Sequence, residues 1–388
     1  MVDQVTPHVG DPTSHIYVHV PFCGRRCTYC DFAIAVRRVV PWQAFNTAIM
    51  AELAIRRLQL DPAAIKSLYL GGGTPSKLGG VGIQELLAGF AQHLSVNEFS
   101  TMAQAPEITI EVNPEDVTSE SVASWLAAGV NRASLGVQSF DPGVLSWMHR
   151  EHGPADSLRA ARLLRSGGIE NISLDLIFAV PDTLGRDWED DLTRALELEP
   201  DHLSLYGLTV EPRTPLGRWS ARGEVAEAPE ERFEAEFLSA HHRLLQAGFE
   251  HYEVSNYGRP GRRARHNSSY WSGASYLGLG PSAHGFDGAT RRWNRSAYAA
   301  WDEAVRAGKD PLEGSEPIGT VEREAEEIYL GLRTIDGLDI RQSESMMVSQ
   351  WQSEGWAVLE KLHVRLTPLG WLRLDALAAA LTSLRSRS

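Results

Sequence analysis

His19-Val20-Pro21-Phe22-Cys23-Gly24-Arg25-Arg26-Cys27-Thr28-Tyr29-Cys30-Asp31-Phe32 decides how the rest of the chain is read. Its core is C-x3-C-x2-C, and Cys23, Cys27 and Cys30 are the only three cysteines among 388 residues. A long chain that gathers every thiol on one short stretch is not using them for packing or for disulfides. Three thiolates on one loop can hold three corners of a cubane iron–sulfur cluster and leave the fourth iron open for chemistry. Two other uses compete on spacing alone. A zinc site could take the three thiols with His19 as fourth ligand. A structural disulfide would strand one cysteine, and no export pattern precedes it.

Composition narrows the setting. The length accommodates one large domain and a smaller one. With 43% apolar and 22% charged residues the chain reads as a soluble globular protein. A formal net charge of −13 argues against non-specific nucleic-acid binding and gives no support to docking on anionic lipid. No apolar run approaches the roughly 20 residues needed to cross a bilayer. Residues 1–14 are polar, without a charged-then-apolar signal pattern. The expected location is the cytoplasm, where thiols stay reduced, with transient membrane association left open.

From residue 14 the chain repeats a short aliphatic run, a polar turn and a helical period. The runs are 15–20, 67–70, 107–112, 132–137, 172–178 and 202–208. The helical stretches are 42–58, 83–94, 119–128, 155–166, 187–198 and 230–247. Six β–α units predict a parallel α/β sheet with right-handed crossovers. The strands read as nearly continuously apolar, as in a sheet covered on both faces. An open doubly wound sheet and a partial barrel of six units both satisfy this pattern.

Residues able to do chemistry fall after successive strands. The cysteines follow the first, Gly71-Gly72-Gly73-Thr74-Pro75-Ser76 the second, Glu111 and Asn113 end the third, Gln138 the fourth, Asp175 lies in the fifth and Thr209 ends the sixth. The carboxyl ends of parallel strands form the active-site face of α/β architectures. The glycine run is either a plain turn or bare backbone open to a ligand. It lacks the lysine of a phosphate-binding loop, which disfavours a nucleoside triphosphate. Glu111, flanked by apolar strand residues, needs partners: ligand hydroxyls or a nearby arginine. Gln138 and Arg150 raise the same question. Asp175, an isolated acid in an apolar run, is not there for packing.

The cysteine spacing, with Tyr29 before the last cysteine, resembles the signature of the radical S-adenosylmethionine (SAM) superfamily. HVPFCGRRCTYCDF, GGGTPS, IEVNPE, SLGVQSF, LDLIFAVP, YEVSNY, RHNSSYW and GLGPSAHG together resemble its oxygen-independent coproporphyrinogen III oxidase-like branch, from about residue 14 to the C-terminal helix. The resemblance implies a partial (β/α)6 barrel and a [4Fe-4S] cluster on Cys23, Cys27 and Cys30. It implies SAM chelated at the open iron and lined by Tyr17, Gly72, Gly73, Thr74, Glu111, Gln138, Arg150 and Asp175; Tyr29 joins that set by its place in the cluster loop and Thr209 by its place after the sixth strand. One departure is Ala179, where the family usually has glycine, expected to alter the pocket floor.

Two further departures separate the branch. The true oxidase, which decarboxylates coproporphyrinogen III, has a further cysteine two positions after the third and a longer N-terminal arm. Here that position is Phe32 and about fourteen residues precede the first strand. The chain resembles instead the HemW-type heme chaperones, which carry H-N-x-x-Y-W, present as His266, Asn267, Ser268, Ser269, Tyr270 and Trp271. This implies heme as a further cofactor and as cargo. An imidazole can ligate heme iron, and Tyr270 and Trp271 can pack on a porphyrin face. The plainer reading makes them core aromatics around a hydrogen-bonded histidine. The resemblance also implies heme-accepting proteins, respiratory membrane enzymes among them, a reductant and a homodimer, with no nucleic acid. Whether SAM is turned over stays open, and a module that keeps its cluster only as a switch is the third reading.

Beyond residue 285 the β–α rhythm stops. The expected division is a core at 1–285, the barrel with a connecting segment, and a mostly helical, winged-helix-like domain at 286–388. Helices are expected at 323–332 and 369–384 and short strands at 356–359 and 364–366. With no basic excess this domain is not a DNA reader. It is expected to cover the barrel's open mouth and bound the porphyrin site. The acidic stretch 224–236 reads as a solvated helix start.

Overall fold

The computed structural model describes residues 13–57, 60, 65–95 and 105–387. Position 58, at the expected end of the first helix, and the termini 1–12 and 388 of the two expected domains lie outside the described residues. Six strands lie side by side in chain order, each parallel to the next: β1 (His15–Val20), β2 (Ser67–Gly72), β3 (Glu107–Val112), β4 (Arg132–Gln138), β5 (Asn171–Phe178) and β6 (His202–Gly207). An antiparallel hairpin, β7 (Glu250–Glu253) and β8 (Asn256–Gly258), extends the β6 edge. At the other edge β9 (Leu277–Leu279) runs parallel to β1. The order is β9-β1-β2-β3-β4-β5-β6-β8-β7. A doubly wound sheet reverses its strand order at a switch point, and this sheet does not. Crossovers of one hand then put the connecting helices on one face, and the sheet curls around the other as a partial (β/α)6 barrel.

Side chains along a strand alternate between faces, and here the alternation is chemical. Ile16, Val18, Val20, Leu68, Leu70, Ile108, Ile110, Leu135, Leu174 and Leu203 point outward and are fully buried. They are covered by a helical layer of α1 (Trp42–Arg56), α2 (Gly79–His93), α3 (Ser119–Ala127), α5 (Pro154–Ser166), α6 (Trp188–Glu197) and α8 (Glu230–Gln246), whereas α4 (Pro142–Trp147) and α7 (Pro215–Ala221) stand apart from it and α9 (Arg265–Trp271) sets His266 against inward-facing Tyr17 and Tyr69. Burying each such side chain contributes about 1.5–3 kcal/mol. The alternate positions hold His15, Tyr17, His19, Tyr69, Glu107, Glu111, Arg132, Ser134, Asp175, His202 and Ser204. The strands are therefore not continuously apolar as expected, because the barrel interior is a polar network with a cavity above it.

Local chemistry sets the helix ends. Asp141 caps α4, its side chain accepting the Val144 N–H, and Pro142 follows it at a position where a missing N–H costs nothing. Asp187 caps α6 by accepting from Glu189 and Asp190. On α1, fully buried Glu52 accepts from the Gly280 N–H at 2.9 Å, Asn294 Nδ2 at 2.6 Å and Trp301 Nε1 at 2.8 Å. That fastens the barrel's first helix to the segment after β9.

The expected boundary at 285 falls inside a strand. β10 (His284–Phe286), β11 (Thr290–Asn294) and β12 (Leu312–Pro317) form an antiparallel sheet, and α10 (Tyr298–Arg306) returns to α1 through Trp301 and Phe45, 5.8 Å between ring centres. The architecture changes at Thr320. There α11 (Thr320–Arg333), β13 (Leu338–Asp339), α12 (Ser345–Ser353), β14 (Ala357–Glu360), β15 (His363–Leu366), α13 (Pro368–Trp371) and α14 (Leu374–Arg385) make a winged-helix-like unit. The expected last helix is broken between Trp371 and Leu374. Arg333 joins this unit to the barrel: Nη2 meets buried Glu253 at 2.8 Å, and the guanidinium lies 4.1 Å over the Trp271 ring. No described residue of the unit lines the upper cavity, so it does not cover the mouth as expected. Among the described residues no helix is long and apolar enough to cross a membrane.

Candidate cluster and cofactor site

The chain leaves β1 and immediately forms a two-residue pairing, Phe22–Cys23 parallel to Ala35–Val36, which pinches residues 24–34 into a lobe at the carboxyl end of the barrel. Two backbone bonds fasten it: Thr28 N–H donates to the Met148 carbonyl at 3.2 Å, and Leu216 N–H donates to the Thr28 carbonyl at 2.9 Å. Cys23 is buried, Cys27 and Cys30 are half-buried, and all three are free thiols. Thr74 Oγ1 donates to Cys23 Sγ at 3.4 Å, and Arg150 Nη1 to Cys27 Sγ at 3.7 Å. Burial pushes the Cys30 thiol up to about 11 and raises Cys23 as well. Iron bound by these sulfurs would therefore displace protons. His19, the fourth ligand of the zinc reading, has both ring nitrogens engaged, Nε2 donating to the Ala33 carbonyl at 2.9 Å and Nδ1 accepting from Tyr17 at 3.1 Å.

Below the lobe lies a cavity of about 400 Å³, within the usual range for a small-molecule site. Of the residues singled out from sequence, Cys23, Cys27, Tyr29, Cys30, Gly72, Gly73, Thr74, Glu111, Gln138, Arg150, Asp175, Thr209 and Asn267 line it. Gly72 sits at φ +109, and a Cβ there would stand 2.6 Å from the His19 ring, so only glycine fits. Its N–H donates to Glu111 Oε2 at 3.0 Å, and Tyr69 OH donates to Oε1 at 2.8 Å. Burial raises the Glu111 carboxyl to about 7. No described arginine bonds this carboxylate, and its remaining acceptor capacity faces the cavity, as a ligand hydroxyl requires.

Asp175 is also raised by burial, against the pull of the Ser134, Ser204 and Ser173 hydroxyls. Ser134 Oγ reaches both carboxylate oxygens at 3.0 Å. Arg150 is aimed by Asn113 Oδ1 at 2.6 Å and the Gly136 carbonyl at 2.9 Å. Burial opposes its charge, but Tyr29, Cys27 and Glu115 outweigh burial and raise its pKa. The cavity thus combines three free thiols, a fixed cation beside them, bare glycine backbone and a carboxylate with spare acceptors. That donor set fits a cluster with a polar, zwitterionic nucleoside ligand.

Gln138 reaches the cavity by an irregular route. Its φ is +67, and the β4–β5 register shifts between Leu135 and Gln138, so a bulge re-aims the side chain. Thr209 stands two residues beyond β6, exposed on the rim. Ala179 is not on the pocket floor. It is buried at φ +56, its N–H donating to Glu236 Oε2 at 2.7 Å, so the departure from glycine is a backbone matter. Tyr17 does not line the cavity; it stacks between Tyr69 and His266, with centroids 6.0 and 6.3 Å away.

The geometry of the H-N-x-x-Y-W segment matches its plainer reading. His266 is 1% exposed, with Nδ1 paired to Ser67 Oγ at 2.7 Å and Nε2 to Tyr270 OH at 2.8 Å. Burial lowers its pKa to about 3. Neither nitrogen is free for iron, which corrects the expected ligand role. Tyr270 is spent on His266 and Trp271 lies under Arg333, leaving Asn267 alone of the motif at the cavity. Sequence reasoning missed Tyr69, Ser134, Ser204, Tyr206 and His149, which also line it. For the first four the signal was a polar side chain at every second strand position.

A family model for the radical SAM superfamily matches residues 17–195. The curated heme chaperone HemW of Synechocystis sp. is 37% identical, the match spanning 85% of this chain and 80% of that protein. HemW of Mycobacterium tuberculosis is 36% identical over 87% and 85%, and HemW of Escherichia coli 37% identical over 71% and 70%. Among solved structures, the Escherichia coli coproporphyrinogen III oxidase HemN, described as a radical SAM enzyme, superposes with a TM-score of 0.76 at 20% identity, covering 96% of this chain and 91% of that one. At that identity the likeness is one of fold.

Proposed function

This chain belongs to the HemW family of the radical SAM superfamily, and we propose that it is a heme chaperone, taking heme as cargo and passing it to heme-accepting proteins. Cys23, Cys27 and Cys30 would hold a [4Fe-4S] cluster, with Thr74 and Arg150 donating to sulfur and Arg150 offsetting thiolate charge. Gly72, Glu111, Gln138 and Asp175 would receive SAM. Cluster and SAM, when bound, supply one-electron chemistry at the cavity, with a reductant as partner.

The observation that carries the choice is Phe32. It is 56% exposed and lines the cavity at the position where the oxidases have a further cysteine. A phenyl ring offers no metal or acid–base chemistry there, while an exposed apolar side chain beside the opening suits an apolar cargo.

The test uses anaerobically reconstituted full-length protein with dithionite and SAM. Coproporphyrinogen III is followed by chromatography and heme binding by absorbance. Heme binding with the porphyrinogen untouched supports the chaperone. Accumulation of protoporphyrinogen IX with SAM consumption makes the chain an oxidase, and zinc retained in place of iron removes the cluster from the account.

A further inference from the structure

The cavity rim carries side chains that cluster and SAM leave unused. Helix α4 ends in a Schellman turn, with Arg150 N–H donating to the Leu145 carbonyl at 2.9 Å and His149 N–H to the Ser146 carbonyl at 3.0 Å. The residue after the C-cap Met148 is His149, at φ +59. Glycine is favoured here, because an L side chain in this region costs roughly 1–2 kcal/mol. The backbone thus gives no reason for a histidine.

The surroundings give one. His149 is exposed, and it is the one histidine lining the cavity among the described residues. No described residue hydrogen-bonds its ring, unlike the ring of His266. Its imidazole stands at 78° to Trp219, centroids 6.0 Å apart, and Trp219 lies 6.2 Å from Trp147. Both tryptophans are only half-buried. Arg25 donates from Nε to the His149 carbonyl, and among the described residues Arg25 and Arg150 are the two arginines lining the cavity.

We propose that heme docks on this rim, its iron on His149, its macrocycle against Trp147 and Trp219, and a propionate on Arg25. The site rests on the heme-chaperone reading above. Its chemistry matches each part of the ligand: an unengaged imidazole for iron, two half-buried indoles for a flat apolar ring, and a guanidinium for a carboxylate. The Thr28–Met148 bond ties the rim to the cluster lobe, so cargo would sit beside the cluster and leave the cavity to SAM.

The full-length, cluster-loaded chain is titrated with heme by absorbance as wild type, His149→Gly, Trp219→Leu and His266→Gln. His149→Gly relieves the backbone and should fold at least as well as wild type. The expected result is heme affinity weakened by about tenfold or more, loss of the spectrum of imidazole-bound heme, and its return on adding imidazole. Trp219→Leu should weaken binding with the spectrum kept, and folded His266→Gln should keep both affinity and spectrum. Wild-type affinity and spectrum in His149→Gly would overturn the rim site and leave the chaperone reading standing. So would a loss that imidazole does not restore, or a loss in folded His266→Gln. A wild-type chain that binds no heme overturns both.

Discussion

Glu107 and Glu111 stand on the same face of β3, four residues apart, and meet opposite ends of one barrel. At the lower end Glu107 accepts the backbone N–H groups of Arg265 and His266 at 3.0 Å each and so closes the start of α9. The histidines at that end are paired through hydroxyls. Ser67 bridges His15 and His266, both at 2.7 Å, and His202 pairs with Ser173 and Tyr252, both at 2.8 Å. At the upper end Glu111 has a tyrosine and one N–H, and beyond them a cavity. A polar residue inside a barrel is therefore not functional by type. It becomes so where the protein stops supplying partners.

The sharpest way to break that contrast is to remove a thiol. Cys23→Ser should take the iron and sulfide content of reconstituted protein to near zero while leaving the apo melting temperature within error, because the lower network does not feel the lobe. Arg132→Met attacks the other end. Arg132 is buried in the field of Glu107 and Asp175, and its loss should cost about 3 kcal/mol in denaturant unfolding with cluster content unchanged in folded material. If each variant damaged both readouts equally, the two ends would not be separable.

Glu111→Gln refines the comparison with a pH dependence. The folded carboxyl titrates near 7, against an ordinary value of 4.5. The folded chain holds this proton longer than the unfolded chain, so stability falls as pH rises from 4.5 through 7, and the full penalty stands above 7. Removing the charge should stabilise apo-protein by on the order of 2 kcal/mol at pH 8, with little effect near pH 4. Calorimetry should show weaker SAM binding in the same variant. A variant less stable at pH 8 than wild type would mean that Glu111 belongs with Glu107. The smallest effect is Ala179→Gly, which removes a left-handed alanine outside the cavity and should gain about 0.5–1 kcal/mol with SAM affinity unchanged.

Strands β1 and β3 were legible from end to end, because an aliphatic run between polar residues has few other uses. The cysteines were legible because they are scarce. Barrel and doubly wound sheet were not separable, since both follow from β–α alternation and only the order of strand pairing distinguishes them. Helices α4, α7 and α9 are six or seven residues long, too short to show a period. The left-handed backbones of Gln138, His149 and Ala179 are marked by no residue type. His266 is the instructive miss. Its letter and its motif announce an imidazole, and nothing in either says that Ser67 and Tyr270 reach the nitrogens first.

The bonds that fasten the cysteine lobe also impose a schedule on biosynthesis. Thr28 is held by Met148 and by Leu216, so the lobe has no seat when the ribosome has made only Cys30. At ordinary elongation rates Leu216 follows roughly ten seconds or more later. Through that interval three thiols wait on an unanchored loop, open to oxygen and to stray metal ions. A cluster on these thiols would thereby be loaded late, after the six parallel strands of the barrel have been synthesised, and the machinery that delivers it would meet a chain past its midpoint rather than a newly emerged cysteine loop.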